Sequence, residues 1–105
     1  MDSKYSDKLE ELRSRLLERP GMLDPAVRQA AAKGADLAPE LAQYVDTVRR
    51  HAYRVTDEDI QALLDAGYSE DQVFELTVAA AYGAARDRLD AGLDAIRSHG
   101  LEVDP

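Results

Sequence analysis

The stretch FELTVAAAYGAARDRL, residues 74 to 89, contains ten consecutive uncharged residues, Leu76 to Ala85, bracketed by Glu75 and Arg86. Most of them are very small, so something must press closely against this segment if it is to be buried. On a helix, Ala79, Ala80, Ala81, Gly83, Ala84 and Ala85 cover nearly the whole circumference for two turns. That predicts a central helix approached on several sides. A glycine inside a helix costs about 1 kcal/mol relative to alanine, a cost that fits a close helix crossing at Gly83, within one chain or between subunits.

The rest of the chain reads as helices with short connections. Tyr5, Leu9, Leu12 and Leu16 fall on one stripe, predicting a first helix over about residues 3–18 that ends before Pro20-Gly21. Asp24-Pro25 is an N-cap followed by a first helical position, opening the short helix PAVRQAAAK, which Gly34 can close. Leu41, Tyr44, Val45, Val48, Ala52 and Val55 recur at helical spacing, so a third helix is expected over about 38–54. Thr56, ahead of Asp57, Glu58 and Asp59, caps a fourth helix carrying Ile60, Leu63 and Leu64 and ended by Gly67. Ser69-x-x-Gln72 is a capping box for a long last helix from about Glu70 to Ser98, ending at Gly100, with a frayed tail over 101–105. No stretch reads as a strand. The fold class expected is all-α: one compact domain, a bundle of about five helices.

Composition narrows the function. There is no cysteine, which removes disulfides, thiolate metal sites and thiol nucleophiles. His51 and His99 belong to no ligand spacing, so no metal and no cofactor are expected. The formal charge of -8 disfavours nucleic acid and anionic membrane as partners. The ten-residue run is half of the roughly 20 residues that span a bilayer, and MDSKYSDKLEEL lacks the apolar segment of a signal peptide. A cytoplasmic protein is expected.

Glu75, Tyr82 and Arg86 share one side of the last helix. They could line a pocket as acid or base, hydroxyl and anion holder. Equally, Arg86 could pair with a carboxylate and fix how helices meet, or pair with Asp90 on a solvated face, while Arg88 could reach an acid on a neighbouring helix. His51, with Arg49, Arg50 and Arg54, sits where cations complement a helix C-terminus. The acidic runs 57–59 and 70–71 sit at helix N-termini for the converse reason. Read as a calcium loop from Asp57, the chain lacks the glycine at loop position six and the glutamate at position twelve that an EF-hand needs. IQALLDAGYSEDQVFELTVAA outlines a helix-turn-helix. Its second helix starts Glu70-Asp71 and has no basic side chain before Arg86, which argues against DNA. LLDAGYSEDQV is similar to ubiquitin-associated three-helix domains, but the last helix here is too long for one.

Thr56 to Asp59, Ala66-Gly67-Tyr68-Ser69, Val78 to Ala85 and Arg88-Leu89 occur in the order in which alkylhydroperoxidase D-like proteins of the carboxymuconolactone decarboxylase superfamily carry a capped acidic turn, an A-G-apolar-S turn, an alanine-rich helix and an R-L segment. The chain resembles that superfamily over about residues 41–96, with helix one outside. The resemblance implies an all-helical fold and assembly into homo-oligomers. In the active branch it also implies a Cys-x-x-Cys-x-x-x-His peroxidase centre. Here Tyr44-x-x-Thr47-x-x-x-His51 keeps the spacing without either thiol, so thiol peroxidase activity is not expected and only His51 carries over by position. Two functions stay open. One is a non-redox oligomeric binding or partner module, for a protein or a small carboxylated ligand. The other is a thiol-independent acid-base enzyme of decarboxylase or lactone type, worked by Glu75, Tyr82, Arg86 and His51.

Overall fold

The computed structural model describes residues 3–100, with side chains from residue 7 onward. The side chain of Tyr5 and the tail after Gly100 therefore lie outside the described residues. Five α-helices follow in order: α1 (Ser3–Leu17), α2 (Pro25–Lys33), α3 (Pro39–His51), α4 (Asp57–Asp65) and α5 (Glu70–Ser98). Among the described residues there is no strand.

Local chemistry sets most helix starts. The Asp24 side chain accepts the Ala26 N–H at 2.8 Å, with Pro25 in the first turn, and Gly34 closes α2 in the left-handed region at φ 73°. At α4, Thr56 accepts the Asp59 N–H while the Asp59 carboxylate accepts the Thr56 N–H. Ser69 and Gln72 make the same reciprocal pair at α5. Such a cap supplies partners for N–H groups that have none inside the helix. Ser69→Ala is expected to lower unfolding free energy by about 1 kcal/mol. A urea titration followed by circular dichroism reads this as a lower midpoint with an unchanged slope.

One expected helix is broken. The periodicity from Leu41 to Val55 predicts α3 running to about residue 54, but it stops at His51, and Ala52–Arg54 forms a 3-10 turn. His51 leaves helical geometry there, at φ -147° and ψ 59°. The turn directs the chain into α4 while Val55 and Ile60 still pack against the core.

α5 touches all four other helices and is the axis of the bundle. Val73, Leu76, Ala79, Ala80, Gly83 and Ala84 form its buried face. They meet Ala31 and Ala32 of α2, Leu41, Tyr44, Val45 and Val48 of α3, Leu63 of α4, and Leu17 and Leu23 at the end of α1 and after it. The glycine has a specific reason: a Cβ at position 83 would run into the Ala32 backbone of α2, 2.6 Å from its Cα. The helix is approached on several sides, as its small residues suggest, but not all of them are covered, since Ala81 and Ala85 are exposed. The four short helices leave one side of the axis uncovered, and these two alanines fall there.

Arginines close the C-terminal ends of three helices, each supplied by a later helix. Arg28 of α2 donates to the carbonyls of Leu16 and Arg19 at the end of α1 and just beyond it. Arg49 of α3 donates to Ala32 in the last turn of α2, and to Asp87 Oδ2 at 2.6 Å. Arg88 of α5 donates to the Arg49 carbonyl in the last turn of α3 at 2.8 Å. The carbonyls at a helix C-terminus lack intrahelical partners, and here tertiary guanidinium groups supply several of them. The distal half of α5 runs on past the body. Of residues 87–98 only Leu93 is half-buried. The helix has 29 residues, about 43 Å of rise, along a molecule 50 Å in its longest extent.

Candidate functional site

The four acid-base candidates do not converge. Glu75 accepts the backbone N–H groups of Met22 and Leu23 at 2.8 and 3.0 Å, and its Oε1 lies 3.8 Å from Arg28 Nε. Its carboxylate therefore anchors the loop between α1 and α2. The partner is Arg28, not Arg86. Arg86 instead pairs with Asp90 on its own helix at 3.5 Å. Tyr82 and Arg86 do line one cleft together, between α1, α2 and α5. His51 is exposed at the far end of α3, edge-on to the Tyr53 ring at 5.8 Å, and lines neither that cleft nor the groove described below. These placements correct the expectation of a single set: Glu75 is committed to structure and His51 is remote.

The cleft beside Tyr82 encloses about 700 Å³ and is edged by charges of both signs, Glu10, Arg13, Lys33 and Asp87 among them. Several are already paired. Arg13 lies 3.0 Å from Glu18 and 3.8 Å from Glu10. The bond to Glu18 raises the Arg13 pKa and outweighs the opposing effect of burial, with the charges of Glu18 and Glu10 adding to the rise. Asp87 is held by Arg49. The cleft is a solvated, largely self-neutralised surface.

A second concavity, between α3, α4 and α5, is different in kind. It encloses about 550 Å³ and is lined by Val48, Val55, Ile60, Leu64, Val73 and Phe74, with Tyr44 and Thr77 among the other lining residues. The two hydroxyls spend their protons internally. Thr77 donates to the Val73 carbonyl at 2.7 Å, so the 2.7 Å contact with Tyr44 has the tyrosine as donor. What remains is a mostly apolar trough in which Glu70, at the start of α5, is the one charged lining residue. Phe74, at its rim, is 68% exposed, a position that a large aromatic ring occupies at the cost of leaving its apolar surface in water.

Sequence reasoning passed over this groove and Arg28. The groove exists because α3 breaks at His51 and α4 folds back, which no local signal announces. Arg28, 4% exposed, is the one buried charged residue among those described, and its Nε has no hydrogen-bond partner. In the sequence it reads as an ordinary charge on a short helix. Tyr44, Thr47 and His51 do not gather either: Tyr44 is buried, whereas Thr47 bonds its own helix at the Gln43 carbonyl and His51 is exposed.

Among the described residues no helix is long and apolar enough to cross a membrane, and no three His, Asp or Glu side chains group as metal ligands. Compared with known proteins, the chain matches no family model, no curated protein and no solved structure, so its likeness to the carboxymuconolactone decarboxylase superfamily rests on the four motifs alone.

Proposed function

We propose that this chain is a non-redox, self-associating helical module of the cytoplasm, acting by binding a partner rather than by chemistry. The observation that carries the reading is the mostly apolar groove between α3, α4 and α5, continuous with exposed Phe74 and with Glu70 as its one charged lining residue. An apolar trough with satisfied hydroxyls suits a helix face or another apolar surface. The resemblance over residues 41–96 agrees with a helical assembly that has lost its thiol centre.

Size-exclusion chromatography with light scattering between 1 and 100 micromolar, roughly the range in which modest interfaces assemble, tests it. A homo-oligomer is expected, and a monomer throughout overturns the reading. The alternative, an acid-base enzyme acting on a small carboxylated substrate, would have to work from the cleft with Tyr82 and Arg86, without Glu75 or His51. That cleft does hold Arg13, Lys33 and Arg86, the cations such a substrate would need.

A further inference from the structure

The side of α5 that faces away from the core carries a second apolar stripe: Phe74, Val78, Ala81, Ala85, Leu89, Gly92 and Ile96. Phe74 is 68% exposed, Leu89 and Ile96 are each 40% exposed, and Ala81, Ala85 and Gly92 are also exposed. Phe74, Ala85 and Ile96 are eleven apart, a repeat of about 3.67 residues per turn, so the stripe runs almost straight along the helix. Its spacing is the same read from either end, with Ala85 at the centre. A Cβ at Gly92 would meet nothing within 4 Å. Among the described residues nothing lies against this helix-weakening glycine, whereas Gly83 has Ala32 against it.

The geometry points to a second copy of this chain as the occupant: two α5 helices pack antiparallel about a two-fold axis at Ala85. The inference rests on the self-associating reading above and assigns its interface. In this register Ala85 meets Ala85, Ala81 meets Leu89, Val78 meets Gly92 and Phe74 meets Ile96. Two of these layers set a large side chain against a small one, which lets the backbones approach evenly. The contact is self-complementary, as a two-fold interface must be. The groove lies beside the proximal half of α5, and the bare helix is the distal half. Each copy thus offers what the other lacks, and Ile96 of one lies against Phe74 at the groove rim of the other.

Charge selects the direction. Up to Glu75, α5 carries only acids, Glu70, Asp71 and Glu75, while all its cations, Arg86, Arg88 and Arg97, lie in the distal half. There they alternate with Asp87, Asp90 and Asp94. Antiparallel packing brings the Glu70-Asp71 turn beside Arg97 and His99 of the second copy, and opposes the helix dipoles. Parallel packing would set acid against acid.

Because the chain has no cysteine, single cysteines are clean probes. Ala85→Cys, on an exposed site, is expected to give a disulfide-linked dimer under mild oxidation. Mixed Ala81→Cys and Leu89→Cys chains are expected to cross-link to each other, and Ala91→Cys, which faces away from the stripe, is expected to stay free. Phe74→Asp should raise the dimer dissociation constant at least about tenfold while the melting temperature of the monomer holds. A dimer by light scattering that cross-links at neither position 85 nor the 81–89 pair overturns this interface and leaves the self-associating reading standing. A monomer at all concentrations removes both.

Discussion

Gly83→Ala is expected to lower the melting temperature by about 5–20 °C, the reverse of what this substitution does inside an ordinary helix. On an open helix, alanine would gain about 1 kcal/mol over glycine. Here the new methyl would meet the Ala32 carbonyl group and Cα of α2, which are backbone and cannot swing aside. Moving α2 disturbs Ala31, Ala32 and the Arg49 bond to the Ala32 carbonyl together. Overpacking of this kind costs about 1–3 kcal/mol and sometimes more, and in a domain of this size each kcal/mol is worth about 4–8 °C. Gly83→Leu should be worse still. A Gly83→Ala protein that melts at or above the parent temperature would mean that α2 does not lie on α5 at this point.

Arg28→Ala is expected to destabilise the fold by about 3–5 kcal/mol, the range for removing one member of a buried charge pair. The guanidinium is buried, donates to the carbonyls of Leu16 and Arg19, and is the cation beside Glu75. Without it those carbonyls lose their partner and the carboxylate loses its counter-charge. Glu75→Gln should do less harm, since the amide oxygen still accepts one of the two N–H groups of Met22 and Leu23. The two effects should not add, because both substitutions act on one network. Thermal melts of the two single variants and the double variant decide this. Full stability in Glu75→Gln would free that carboxylate for the chemical role the sequence suggested.

Capping is local chemistry, and that is why the starts of α2, α4 and α5 were legible. Asp24, Thr56 and Ser69 bond to N–H groups two or three residues away, so the signal and its effect lie in one short window. The end of α3 was not legible, because Ala52 and Val55 keep the helical period while the chain turns away beneath them. Alanine explains the misjudged circumference of α5. Its methyl group is equally at home against a neighbour or in water, so Ala79 and Ala81 look alike in sequence and differ completely in burial. The candidate site was harder to read still. Glu75 finds its partners more than forty residues away, at Met22, Leu23 and Arg28, and no spacing along α5 could have indicated them.

The arginine seals at the ends of α1, α2 and α3 give these helix junctions an unusual indifference to protons. Each joins a guanidinium, which keeps its charge at any ordinary pH, to a peptide oxygen that does not titrate. The ion pairs beside them are a separate matter, since Arg28 also faces Glu75 and Arg49 also holds Asp87. In a chain with 21 acidic side chains, the bonds that close these three helix ends are themselves made without one.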